Sequence, residues 1–80
     1  MDVKHMLGVE FSSIARMLNT AVQLNDQMMY KRTLSRLNGM KNVAIICGYR
    51  VTFYFDDSAG YYARILSIRI NNSEFFPDDN

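Results

Sequence analysis

Along residues 2–24 the apolar side chains Leu7, Phe11, Ile14, Leu18 and Ala21 recur at steps of four, three, four and three, the spacing of one helical face. Asp2 stands where an N-cap belongs; Met17, Val22 and Leu24 widen the stripe, and Glu10, Ser13, Arg16 and Asn19 fall away from it. Gly8 weakens the first turns by about 1 kcal/mol relative to alanine, so the pattern predicts a helix best formed from Val9 onward. Asn25-Asp26 reads as a turn and cap. A second helix follows over 27–38, with Tyr30, Leu34 and Leu37 inward and Gly39 as the left-handed residue that ends it. The short connection makes the pair an antiparallel helical hairpin.

From Asn42 onward the apolar period changes from about 3.6 to about 2. Residues 43–47 form an unbroken apolar run. In GYRVTFYFDD, residues 48–57, Tyr49, Val51, Phe53 and Phe55 alternate with Arg50, Thr52, Tyr54 and Asp56. Gly48 has two readings: a tight hairpin turn that gives a three-stranded meander, or a kink in one long strand. The odd-position phase, continuous from Val43 to Phe55, favours the second.

DDSAG, residues 56–60, is the clearest turn signal. In YYARILSIRI the inward phase passes from Tyr61, Ala63 and Ile65 to Leu66, Ile68 and Ile70, which predicts a bulge near Ile65-Leu66 and leaves Tyr62, Arg64, Ser67 and Arg69 outside. Pairing Phe55 with Tyr61 then sets Tyr54 opposite Tyr62 and Thr52 opposite Arg64. Residues 72–80 read as a loose acidic tail anchored by Phe75-Phe76 and stopped by Pro77. The expected fold is α+β in a single domain. An N-terminal hairpin of two helices packs on a small antiparallel β-sheet of two or three strands within residues 43–71, its stripe facing Val51, Phe53, Phe55, Ile68 and Ile70.

Composition sharpens this picture. With 80 residues, 49% hydrophobic and 21% charged, the chain is globular in composition but near the small end of what folds on its own burial. Apolar surface left over calls for a second copy or a partner to cover it. The N-terminus MDVKHMLGVEF lacks the basic start and apolar run of a signal peptide, and no segment approaches the roughly 20 apolar residues of a membrane span. With one cysteine, Cys47, and no disulfide partner, a soluble cytoplasmic protein without a membrane association is expected.

The net charge of +1 hides an uneven distribution. Between Gln27 and Phe55 there is no Asp or Glu, but Lys31, Arg32, Arg36, Lys41 and Arg50 are present; after residue 70 come Glu74, Asp78 and Asp79 and no base. Arg32 and Arg36, four apart on the predicted second helix, are neighbours on one face, where like charges repel unless an anion relieves them. Lys31 and Lys41 flank that face in the sequence. A second candidate surface is the outer sheet face with Arg50, Tyr54, Tyr62, Arg64 and Arg69, residue types that dominate interface hot spots and that also stack on single-stranded RNA.

Catalytic chemistry finds little footing. His5 is the only imidazole, so neither Cys47, in an apolar run that argues for the core, nor Ser12-Ser13 has a base in sequence reach, and no triad is drawn. Asp56-Asp57 lacks the D-x-D-x-D-G pattern of a calcium loop and reads as turn chemistry rather than a metal site. The four glycines form no phosphate cradle, so no cofactor is expected.

GYRVTFYFDDSAGYYARILSIRI, 23 of the 80 residues, resembles the closing strands of the RelE/ParE-type toxin family, in which a Tyr-Arg-hydrophobic strand leads through an acidic turn into a strand ending near a basic residue. The resemblance implies that Arg50 corresponds to an arginine the ribonuclease members use on RNA, and Arg69 to the basic position near the end. The chain departs from that family in having no strand ahead of its helices and an apolar segment before Gly48. The resemblance therefore supports an alternative, an RNA-directed toxin or RNA-binding protein using Arg50, Arg64 and Arg69. The favoured expectation is a small non-enzymatic protein-binding module. It acts stoichiometrically as an inhibitor or regulator of a larger protein or nucleoprotein, in the manner of anti-defence proteins encoded by phages and mobile elements. A third is a regulator or adaptor that dimerises through its helical hairpin.

Overall fold

The computed structural model describes residues 2–57 and 61–77. Two helices, α1 (Val3–Gln23) and α2 (Gln27–Ile46), precede three strands, β1 (Val51–Phe55), β2 (Ile65–Ile70) and β3 (Ser73–Phe75), in an antiparallel sheet of order β1-β2-β3. The fold is α+β, a helical pair followed by an antiparallel sheet. Helix α1 lies over β2 and β3, and α2 packs on α1 and reaches β1.

Each helix is capped at both ends by local chemistry. The side chain of Asp2 accepts from the Lys4 amide, and that of Asp26 from the Met29 amide, each relieving an orphan N–H of the first turn. Both C-termini close the same way. Asp26 N–H donates to Ala21 O and Asn25 N–H to Val22 O, with Asn25 left-handed at φ 54°. At the end of α2, Tyr49 N–H donates to Ala44 O and Gly48 N–H to Ile45 O, with Gly48 at φ 94°. Both are the paired six-to-one and five-to-two bonds of a Schellman closure.

Gly48, not Gly39, therefore ends α2, and residues 43–46, expected as strand, are its last turn. An apolar run does not by itself distinguish strand from helix. Continuation through Gly39 buries Ala44 and packs Met40 against the core beside Leu37, a gain that outweighs the roughly 1 kcal/mol a mid-helix glycine costs. Neither reading of Gly48 as a hairpin turn or a strand kink holds. Cys47, placed by the sequence reading in the core, is the exposed C-cap.

In the sheet, Val51 pairs with Ile70, Thr52 with Arg69, Phe53 with Ile68, Tyr54 with Ser67 and Phe55 with Ile65. The register skips Leu66, so the expected bulge at Ile65-Leu66 is present. The expected pairing of Phe55 with Tyr61 is not: the hairpin closes later, and Tyr54 faces Ser67 rather than Tyr62. The Ser-Ala-Gly part of the turn signal lies outside the described residues.

The segment after residue 70 is not a loose tail throughout. Asn71, left-handed at φ 53°, turns the chain so that Ser73–Phe75 pair back on Ile68–Ile70 as β3. Phe75 lies against α1 at Gly8, where a Cβ would overlap its ring, so the glycine that weakens the helix is the seat of the third strand. Phe76 is exposed. The core between the layers contains Phe11, Ile14, Leu18, Leu37, Ile65, Ile68 and Ile70, all essentially inaccessible to solvent, with the rings of Phe11 and Phe53 edge to face at 5.7 Å.

Candidate partner-binding surface

Residues read as one basic ridge on α2 separate once the helix is seen whole. Arg32 and Arg36 are exposed, roughly 100–140° around the helix axis from the centre of the buried stripe of Tyr30, Leu37 and Ala44. Lys41 is half-buried instead, its Nζ 5.3 Å from the centre of the Phe53 ring, where it joins α2 to β1 by a cation–π contact. Lys31 is exposed and, one residue from Arg32, points about 100° away from it around the axis. The ridge reduces to Arg32 and Arg36. Helix α2 carries no Asp or Glu, and neither arginine has a carboxylate partner among the described residues.

The same helix exposes apolar side chains in its last turn. Val43, Ile45 and Ile46 are 61%, 48% and 83% accessible, and of the run Val-Ala-Ile-Ile only Ala44 is buried. Sequence reasoning missed this because it assigned the run to a buried strand. In an antiparallel hairpin the first turns of α1 lie at the same end, and there Val3, Met6 and Val9 are also about half exposed.

The outer sheet face partly assembles as expected. The pairing extends past β1, with Asn71 N–H donating to Arg50 O and Arg50 N–H to Asn71 Oδ1. By strand alternation Arg50, Thr52 and Tyr54 share the face with Ser67 and Arg69. Arg69 sits between Thr52 and Glu74, and the Glu74 carboxylate accepts from Ser67 Oγ at 2.9 Å. Arg64 is exposed at the turn end, opposite Asp56 rather than Thr52, its carbonyl accepting from Asp56 N–H at 2.9 Å. Tyr62 leaves the face: half-buried, it packs its ring edge to face on Tyr30 at 5.1 Å, on the helix side.

Tyr30 is held by a second contact, its hydroxyl donating to Ala63 O at 2.7 Å, and burial pushes its pKa above the usual tyrosine value. Beside it, Tyr62 and the turn between the helices line a shallow open cleft with about 20 Å³ of room for solvent, far below the roughly 300 Å³ where ligand pockets begin. Among the described residues no group of three or more His, Cys, Asp or Glu is placed to hold a metal ion, and no helix is long and apolar enough to cross a membrane. No hydrogen bond joins Cys47 to His5.

No family model, curated protein or solved structure matches the chain at a significant level.

Proposed function

We propose that the chain is a small non-enzymatic protein-binding module, acting stoichiometrically as an inhibitor or regulator of a larger protein or nucleoprotein. The observation that carries this reading is the outward placement of Val43, Ile45 and Ile46 on a helix that also presents Arg32 and Arg36. A small domain with little apolar surface to spare gains nothing by leaving three β-branched side chains in water, whereas a partner that covers them gains the hydrophobic term. Apolar centre with arginine beside it is also the composition of interface hot spots. Anti-defence proteins of phages and mobile elements are the class in which such a module fits, and a compact basic-apolar surface suits the acidic or nucleic-acid-binding face of a larger target.

A capture experiment tests the reading. The tagged chain is incubated with lysate of its native host, with and without nuclease. The expected result is a stoichiometric protein band that survives nuclease and is lost with Val43→Ser/Ile46→Ser. A signal that disappears with the RNA, or growth arrest on expression abolished by Arg50→Ala, moves the assignment to the RNA-directed alternative.

A further inference from the structure

Arg32, Arg36, Gly39, Val43 and Ile46 follow one another at steps of four, three, four and three. That is the spacing of a seam along which a second helix packs, and all five residues are exposed. Gly39 stands at the middle of this seam. A glycine inside a helix weakens it relative to alanine, and this one has no compensating contact among the described residues. Its φ is not positive, and a Cβ built on it meets nothing within 4 Å. Gly8 shows the contrast, since there the missing Cβ makes room for Phe75. What Gly39 leaves open is room for another backbone.

The seam changes character along its length. Its N-terminal half presents two guanidinium groups on a helix with no acid, and its C-terminal half presents Val43 and Ile46. From the protein-binding reading above, on which this step rests, we infer that α2 docks an amphipathic helix of a partner protein, antiparallel or parallel to it. That helix carries Asp or Glu against Arg32 and Arg36, a small-to-medium side chain at the crossing with Gly39, and Leu, Ile or Met against Val43 and Ile46. From Arg32 to Ile46 the seam is about 21 Å long, so the partner helix needs some four turns. A second copy of the chain fits less well: packed parallel, two such seams bring four arginines together without a carboxylate, and packed antiparallel, each arginine pair lies against the other copy's Val43 and Ile46. Nucleic acid fits less well too, because a phosphate backbone has no use for Val43, Ile46 or the gap at Gly39.

The test uses a display library of 20-residue helical peptides with randomised seam positions, selected against the immobilised full chain. Enriched peptides are expected to carry acids at one end and large apolar residues at the other. As synthetic labelled peptides they are expected to lose at least tenfold in affinity toward Gly39→Leu and toward Arg32→Glu/Arg36→Glu. Gly39→Leu suits this test, since Gly39 is exposed, a Cβ there meets nothing within 4 Å and leucine is the better helix former; an unchanged circular dichroism spectrum verifies its fold. No enrichment, or affinity unchanged in Gly39→Leu, overturns the inference. So does a dimer in sedimentation that Gly39→Leu dissociates, which assigns the seam to self-association. Binding of a single-stranded RNA 20-mer that is lost with the arginine pair but kept in Gly39→Leu overturns it as well. A lysate partner captured equally by wild type and Gly39→Leu leaves the protein-binding reading standing and removes the helix seam alone.

Discussion

Helix α1, with 21 residues, buries seven of them: Gly8, Phe11, Ser12, Ile14, Ala15, Leu18 and Ala21. Helix α2, with 20, buries Tyr30, Thr33, Leu37 and Ala44. The difference follows from position. α1 lies over β2 and β3 and against α2, so a wide sector of its surface is enclosed; α2 touches α1 on one flank and, below, β1 alone of the strands together with Tyr62 and Ala63 at Tyr30. A helix enclosed on fewer sides can fold with a narrower apolar stripe, and α2 does so with single residues at steps of three, four and seven. Met29, Leu34 and Met40 pack against that stripe, and Met28, Val43, Ile45 and Ile46 are left exposed, surplus to the fold. That surplus marks α2, not the more hydrophobic α1, as the element to test for binding.

The contrast breaks most visibly at Phe11. Its ring is fully buried and edge to face with Phe53, so Phe11→Ala should cost about 3–5 kcal/mol. A domain of 80 residues has roughly 4–12 kcal/mol in total, so urea denaturation should find this variant largely unfolded or close to it. A midpoint near wild type would show that α1 does not organise the core.

The two mid-helix glycines give the next largest effect, with opposite signs. Gly8→Ala forces a methyl into the Phe75 ring, and the overpacking should cost about 1–3 kcal/mol, less up to about 1 kcal/mol returned by helix propensity. Hydrogen exchange should localise the loss to β3 and its partner residues in β2. Gly39→Ala meets no atom and should raise stability by about 0.5–1 kcal/mol. Equal signs for the two would remove the distinction between a glycine used inside the fold and one left open on its surface.

The glycines also show what the sequence can and cannot disclose. The helical stripe of α1, both N-caps, the turn at Asn25-Asp26 and the bulge near Ile65-Leu66 are legible because each is a local rule acting on adjacent residues. The end of α2 was not, because Gly39 and Gly48 are both adequate stops and only tertiary burial of Met40 and Ala44 decides between them. β3 was missed although Asn71-Asn72 between Ile68-x-Ile70 and Ser73-x-Phe75 is a hairpin signal; the acidic residues beyond it suggested a tail. Periodicity puts Asn19 away from the buried stripe, yet its amide donates to Ile65 O at 2.9 Å and accepts from Ile65 N–H at 2.7 Å. A side chain that clamps the backbone of a strand 46 residues away leaves no trace in periodicity. Of the candidate surface, the charge asymmetry of α2 was readable, but the exposure of Val43 and Ile46 depended on the helix boundary and was hidden with it.

Tyr30 tests whether α2 has a deep anchor of its own. Tyr30→Phe keeps the ring packed on Tyr62 but leaves the Ala63 carbonyl without its donor, which should cost about 1–2 kcal/mol. The pH dependence is separable from that loss. Burial raises the pKa of Tyr30 above 10.0, so the unfolded chain gives up this proton first. The stabilisation is complete below about pH 10 and declines as the pH climbs through the folded-state value. In Tyr30→Phe that part of the alkaline decline should vanish, and a wild-type slope retained in the variant would assign the effect to another group.

The smallest effect on stability is expected where the proposed function is concentrated. Ile46 is 83% accessible and Val43 61%, so serine at either position removes little buried surface and should shift unfolding by no more than about 0.5 kcal/mol. Serine has about the same helix propensity as isoleucine and valine, so the exchange adds little of its own. For Phe11 the same kind of truncation removes most of the fold's margin, and the ratio of the two measures how unequally the helices share the work of folding. A loss above about 2 kcal/mol at Ile46 would mean that the end of α2 is covered in the free protein, by a second copy or by chain outside the described residues. Near-neutral stability together with lost capture of a partner would place these side chains outside the fold and inside the interface.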